Sequence, residues 1–553
     1  MAEERYILAI DLGTSALKVA LMTTGGRVVG LETEAVGLQL LPGGGAEQDP
    51  QGWWEAIRRT VGRLLDRVMN GGAAASDAGS GRGPGAGRGA GLSAVPARPR
   101  RDQVVAVGCT AQWSGTVPVD RNGRPLMNAV IWMDSRGAAD VRRVTGGPVR
   151  VSGYGVDKLW RWIRKTGGIP GASGKDSLAH ILYLKRARPE IYAATYKFLE
   201  PKDYLNLCLT GQFAASYDSI ALHWVTDNRD PAAIRYDAEL LALTGIDPGK
   251  LPDLMPATAV VGRLRAEVAE AWGLSPGVQV VAGAPDLHAA AVGSGATRDF
   301  EAHLYVGTSS WLTCHVPSKQ TDLLRNMATL PSAIPGRYFI ANEQETAGAC
   351  LTFLRDALFF PDDGLGSGAA PANFYALLDE QAASVPPGAG GVIFTPWLYG
   401  ERTPVEDHTI RGGFHNLSLR STRAQMVRAV LEGVACNGRW LLEAVESFAG
   451  RRLESLRFIG GGARSDVWCQ IYADVLNRRI EQVRDPVEAN VRGAGLIAAA
   501  GLGYMRFEQV PEAVEVAQVF TPRPEHRRAY DRMYGAFRAL YRSHRAICAT
   551  LNG

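Results

Sequence analysis

Residues Tyr6–Leu21 read YILAIDLGTSALKVAL. Two apolar runs flank Asp11-Leu-Gly-Thr-Ser15, a pattern that predicts a strand, a tight turn and a second strand. A related stretch, Ala302-His-Leu-Tyr-Val-Gly-Thr-Ser309, lies roughly 295 residues downstream and is followed by another apolar segment, Trp311–Cys314. Two such units in one chain predict two related α/β domains facing each other, with a boundary near Gly293–Asp299. The expected division is 1–297 and 298–553.

Around these units the pattern continues as α/β. Asp49-Pro50 opens a helix whose apolar stripe is expected to use Trp54, Ile57, Val61 and Leu64/Leu65. Val104–Gly108 reads as a buried strand. Late in the chain, Leu456–Ile459 leads into Gly460-Gly461-Gly462 and a helix carrying Trp468, Ile471, Tyr472, Val475 and Leu476, a core stripe. Residues 70–101 are Gly, Ala, Ser, Pro and Arg with few large apolar side chains, and are expected to form a flexible surface loop.

Composition narrows the function. Hydrophobic residues make up 46% and charged residues 21%, as in a soluble globular chain. A net charge of +4 is too small to argue for a nucleic-acid partner without a clustered basic face, and no such partner is expected. No apolar run reaches the roughly 18 residues of a membrane span, and no signal peptide is visible, so a cytoplasmic location is expected. The seven cysteines are scattered without C-x-x-C spacing, which predicts reduced core thiols.

Several residues could carry chemistry. A turn such as Gly13-Thr14-Ser15 with Lys18, and its counterpart Gly307-Thr308-Ser309, can surround phosphate oxygens with N–H and hydroxyl groups. Either also reads as an ordinary hairpin turn. Asp11 at a strand end suits a hydrated Mg²⁺. The 460–462 glycines let a ligand approach backbone in front of a helix N-terminus. Asp286 follows an apolar strand and precedes a helical run, as either a helix cap or a base aimed into a cleft. His288 reads as a packed helix residue. Trp113-Ser114 and Asp134/Arg136 combine an aromatic platform with polar groups, as a sugar pocket does; a local salt bridge is the other reading of the charged pair.

Together these stretches resemble the FGGY carbohydrate kinases, and within them look most like the xylulose kinases. EQDPQGWWEAI (47–57), QWSGT (112–116), IWMDSRG (131–137), FLEPKDYLNLCLTG (198–211), VVAGAPDLHAAAVGSG (280–295), YGERTP (399–404) and IGGGARSDVW (459–468) follow the family's order. The resemblance implies two actin-like (ribonuclease-H-like) domains with ATP in the cleft. It implies transfer of the γ-phosphoryl group to a primary hydroxyl of a small sugar or polyol, xylulose first. Asp286 would be the base and Asp11 would lie near Mg²⁺. Gly13, Thr14, Ser15, Lys18, Gly307, Thr308 and Ser309 would hold phosphates, and Gly461, Gly462, Ala463 and Ser465 the adenosine half. Trp113, Ser114, Asp134 and Arg136 would face the sugar. A homodimer is compatible with this reading. A regulatory actin-like ATPase without sugar chemistry is the alternative.

The pattern also departs from the family. Xylulose kinases usually carry Met-His where Trp113-Ser114 stands, and Asn where Leu287 stands. Asn416 replaces a usual glycine. A Lys-containing turn appears as His180–Tyr183, preceded by an extra segment, Ser152–Lys175.

Overall fold

The computed structural model describes residues 3–70, 98–363 and 368–553. Strands β1 (Tyr6–Leu12), β2 (Ala16–Thr23), β3 (Val28–Ala35), β4 (Val104–Ala111), β5 (Val260–Arg263) and β6 (Gln279–Val281) form one sheet in the order β5-β6-β4-β1-β2-β3. Strand β1 is antiparallel to β2 and parallel to β4, and every one of its residues is buried. That explains the apolar run over its first five residues, Tyr6–Ile10: a central strand covered on both faces shows no alternation. One cover is α1 (Pro50–Asn70), whose buried side includes Trp53, Ile57, Val61, Leu64 and Leu65. Trp53, rather than the expected Trp54, heads the stripe, because it lies one helical turn before Ile57.

The second sheet has eight strands: β7 (Ala302–Val306), β8 (Ser310–Val316), β9 (Thr321–Asp322), β10 (Met327–Pro331), β11 (Tyr338–Ala341), β12 (Ser455–Ile459), β13 (Arg479–Val483) and β14 (Val516–Phe520). Their order is β9-β10-β11-β8-β7-β12-β13-β14. Strand β7 repeats the pairing of β1, antiparallel to the strand that follows it and parallel to β12. The sequence echo at 302–309 is thus a structural repeat, and the molecule has the two-domain actin-like α/β fold.

Helices α2 (Ser177–Ala187) and α3 (Pro201–Thr210) belong to the N-terminal half, and α4 (Asp286–Ser294) leaves the end of β6. In the C-terminal half, α5 (Arg423–Ala449), α6 (Asp466–Leu476) and α8 (Arg527–Asn552) share one core, which includes Trp468, Ile471, Tyr472, Val475 and Leu476. Helix α7 (Ala489–Gly501) crosses the expected boundary. Its Ala494, Leu496, Ile497 and Ala498 pack in one cluster with Ile7, Ala9, Ala20, Met22 and Ala106 of the first sheet. The sheets divide on either side of residue 297, but this C-terminal helix is part of the cover of the N-terminal sheet.

Of the expected loop 70–101, residues 71–97 lie outside the described residues. Its ends depart from the expectation. Asn70 is the last residue of α1, and Arg100 and Arg101 pair with Glu3 at 2.6 Å and Asp66 at 2.7 Å. Among the described residues, no helix is long and apolar enough to cross a membrane.

Candidate active site

The β1–β2 turn brings Asp11 and Lys18 opposite each other in the strand register, and their side chains pair at 3.2 Å. Asp11 is buried while Lys18 keeps part of its surface open. The Thr14 hydroxyl donates to Gln112 Oε1 at 3.0 Å and accepts from Trp132 Nε1 at 2.9 Å. Gln48 Nε2 donates to the Thr14 carbonyl at 2.8 Å, and Gln112 Nε2 donates to Gln48 Oε1 at 2.6 Å. Two glutamines and a tryptophan therefore hold the shape of the turn. In this arrangement Thr14 Oγ1 is committed to the scaffold.

Asp286 is the first residue of α4, after Pro285, and its carboxylate accepts from its neighbour's amide, Leu287 N, at 2.9 Å. It does not occupy the cap position expected from the sequence. Burial, with the nearby charges of Asp11 and Glu343, pushes its carboxyl up to about 8. Tyr305, at the end of β7, shares all three carboxylates as electrostatic neighbours, and burial pushes its phenol well above the usual range. Its ring stacks on Trp311 with centroids 3.8 Å apart. Asp11 near the end of the central strand β1, Glu343 just after β11 and Asp286 at the start of α4 therefore lie close to one another.

The opposing turn, Gly307–Ser309, is closed by Gly307 N donating to Ser309 O at 3.0 Å, and Thr308 is exposed. Gly460 has φ +88°, and a Cβ there would lie 2.5 Å from the Val306 carbonyl oxygen, so glycine is required where β12 ends beside β7. Gly461 faces open space, whereas Gly462 and Ala463 are buried against the core. Ser465 caps α6: its hydroxyl accepts from Trp468 N at 3.0 Å and donates to Asp379 Oδ1 at 2.6 Å. Of the four expected adenosine contacts, Gly461 is the one that is openly accessible.

The expected sugar contacts are more enclosed than the sequence suggests. Trp113 Nε1 donates to the Ser219 carbonyl at 2.9 Å, and the ring meets His288 edge-on at 5.0 Å. His288 is buried and packs on Phe339, as expected of a core residue. Ser114 adopts φ +61°, and its hydroxyl donates to the Lys175 carbonyl at 2.7 Å. Asp134 accepts from Ala46 N, Arg136 N and Arg136 Nε at 2.8–2.9 Å, and Arg136 pairs onward with Glu47 at 2.6 Å. This pair is the local salt bridge of the two sequence readings, a strut between the 45–48 strand and the 131–137 loop.

Sequence reasoning left one group without a role. Arg402, in the 399–404 block, pairs with Glu343 and with Glu345, the latter at 2.8 Å. Glu401 accepts from Arg402 N at 2.9 Å, Glu345 N at 3.1 Å and Asn437 Nδ2 at 2.6 Å, and burial pushes its carboxyl up to about 7. The signal was present in the charged stretches Glu343-Gln-Glu345 and Glu401-Arg402, which lie 55 or more residues apart and meet only in the fold.

Among the described residues, no three His, Cys, Asp or Glu side chains converge as a metal cage. The donors present still suit Mg²⁺, which takes one or two carboxylates and completes its shell with phosphate and water oxygens. Asp11, buried near the end of β1 and close to Asp286, is that kind of donor.

The C-terminal domain model of the FGGY family of carbohydrate kinases matches residues 302–502, and its N-terminal domain model matches residues 95–293. A xylulose kinase of Staphylococcus epidermidis is 28% identical over 553 residues, covering 99% of both chains. Two solved structures from Lactobacillus acidophilus, a gluconate kinase and a ligand-bound xylulose kinase, each superpose with a TM-score of 0.81. They are 21% and 20% identical to this chain and cover 99% of it and 100% of their own length.

Proposed function

We propose, for a chain that belongs to the FGGY family of carbohydrate kinases, that Asp286 is the base that readies a sugar hydroxyl for ATP. The chain is an ATP-dependent sugar phosphotransferase. D-xylulose is the first substrate to try, on the strength of the relatives that carry that name.

The observation that carries the reading is the Asp286 carboxyl at the β6–α4 junction, pushed up to about 8 beside Asp11 and Glu343. A base is most useful when its proton affinity lies near the working pH, and this one is tuned into that range. Asp286 takes the proton of a primary hydroxyl as that oxygen bonds to the γ-phosphorus and the bond to the ADP oxygen breaks. The turns at 13–15 and 307–309 supply backbone donors to the phosphates from the two domains, and Lys18 supplies a cation near them. Bound at Asp11, Mg²⁺ would neutralise phosphate charge. Gly461 gives the nucleotide its close approach to backbone, with Gly462, Ala463 and Ser465 shaping the wall behind it.

The test is ADP release in the presence of D-xylulose, other pentuloses and pentitols, with wild type and Asp286→Asn. Sugar-dependent release that falls by about 10²–10⁴-fold in the variant supports the assignment. Release independent of any sugar, or a variant near wild type, refutes it.

A further inference from the structure

Lys175 closes the extra segment 152–175 and sits where three features of the site meet. Its carbonyl holds the Ser114 hydroxyl at 2.7 Å, which ties its backbone to the Trp113-Ser114 pair. Its Nζ lies 5.8 Å from the centroid of the Tyr399 ring, which opens the 399–404 block of the other domain. Its electrostatic neighbours are Glu345, Arg402 and Glu343, and Glu343 is in turn a neighbour of Asp286. One carboxylate thus links the ammonium group and the candidate base.

The ammonium has no hydrogen-bond acceptor among the described residues, although two carboxylates lie close by. The reason is Arg402. Its guanidinium engages Glu343 and Glu345, and Glu401 is spent on backbone amides and Asn437. A planar guanidinium competes better than an ammonium for carboxylates in a fork arrangement. Lys175 is left part-buried, with an aromatic face on one side and its donors unspent. Burial with few partners is costly for a cation, and burial lowers the proton affinity of this one. Such a group is stabilised when a ligand brings acceptor oxygens to it.

We infer that Lys175 is a specificity-determining residue of this site, its Nζ donating to an oxygen group of the sugar other than the hydroxyl that Asp286 deprotonates. The inference rests on the kinase reading above and adds to it the group that recognises the substrate. The acceptor is the hydroxyl and carbonyl end of a ketose or the carboxylate of a sugar acid. Both present oxygens to a cation, and the carboxylate gains more from the charge.

The experiment compares wild type with Lys175→Met, which keeps the apolar stem and removes the donor, and with Lys175→Arg, which keeps the charge on a longer fork. KM and kcat are measured with D-xylulose and with D-gluconate, KM is measured for ATP, and binding of both sugars is followed by thermal shift without ATP. The expected result for Lys175→Met is a sugar KM raised about ten- to a hundredfold, with the ATP KM within about twofold of wild type. A larger loss with D-gluconate identifies the acceptor as a carboxylate, and an equal or larger loss with D-xylulose identifies it as a hydroxyl or carbonyl. A sugar KM unchanged in Lys175→Met, or sugar and ATP KM rising together, overturns the inference. Should Lys175→Met fail to fold, Lys175→Arg is decided on the same split between sugar and ATP. If wild type turns over neither sugar, the substrate choice fails, and the wild-type and variant thermal shifts with each sugar decide Lys175 separately.

Discussion

Gly293 on α4 and Gly493 on α7 face each other backbone to backbone. A Cβ on Gly293 would lie 1.7 Å from the Ala489 carbonyl oxygen, and one on Gly493 would lie 1.8 Å from that of Ala289. Glycine inside a helix costs about 1 kcal/mol against alanine, so its place here is set by the crossing, not by the helices. Arg492 fastens the same crossing, its Nε donating to the Gly293 carbonyl at 2.9 Å. Because α4 begins with Asp286 and α7 packs on β1 and β4, the crossing sets where the base stands relative to Asp11.

Gly493→Ala should therefore disturb the cleft as well as the fold. The added methyl meets backbone, which cannot rotate away, so a loss at or above the top of the usual 1–3 kcal/mol for overpacking is expected. Thermal unfolding at fixed protein and ligand concentration reads the stability. The kcat for sugar phosphorylation should fall as well, because Asp286 moves with α4. A variant with wild-type unfolding temperature and kcat would show that the crossing tolerates separation.

The Asp286 carboxyl sets the pH dependence. The free enzyme's kcat/KM for sugar should rise with pH through an apparent pKa far above the usual carboxylate range, toward about 8. Glu343 contributes by like-charge repulsion. Glu343→Gln removes that repulsion and leaves Arg402 less neutralised, and both effects favour the ionised form of Asp286. The rising limb should move to lower pH in the variant. A limb that stays in place or moves to higher pH would remove Asp286 as its origin.

The same shift has a stability consequence of opposite sense to a salt bridge. The native Asp286 holds its proton up to about 8, whereas the unfolded chain releases it near 3.8. The unfolded state is therefore favoured progressively as pH rises between those values. Asp286→Asn abolishes this penalty while preserving side-chain shape. Its unfolding temperature should match wild type near pH 4 and exceed it near pH 8. The reverse order at pH 8 would mean that the ionised carboxylate is stabilised in the native protein.

The fold was legible because its signals are local. YILAIDL is apolar at every position but Asp11 since β1 is covered on both faces, and its echo at 302–309 sits on the equivalent strand of the other sheet. The Gly/Ala-rich run at 493–503 does not announce its role in the sequence, because a close helix crossing leaves no periodic signal that names its partner. The candidate site divides the same way. Asp11 and Asp286 stand at strand ends, where a sequence shows them. The Arg402 cluster joins charged residues of two stretches far apart in the chain, and no spacing rule connects them. The hydroxyl of Ser114 reads from the sequence as a polar partner for a sugar beside the Trp113 platform, but it donates to the distant carbonyl of Lys175, as the Trp113 ring nitrogen does to that of Ser219.

That tether yields the final prediction. Ser114 is held at φ +61°, a conformation that costs a residue with a Cβ about 1–2 kcal/mol, and its hydroxyl bond to the Lys175 carbonyl offsets part of that cost. Ser114→Ala loses the bond and keeps the strain. Ser114→Gly loses the bond and relieves the strain, but gives the unfolded chain more freedom, worth about 0.4–1 kcal/mol. The glycine variant should therefore be at least as stable as the alanine variant, and the alanine variant less stable than wild type. Catalysis should sort them differently. Both free the Lys175 backbone, so both should raise the sugar KM by a similar factor, on the order of two- to tenfold for one lost hydrogen bond, with the ATP KM unchanged. Matching KM values alongside unequal unfolding temperatures would assign the effect to the tether. If the sugar KM instead follows stability, rising in the alanine variant alone, backbone conformation at 114 shapes the pocket and the link to Lys175 does not.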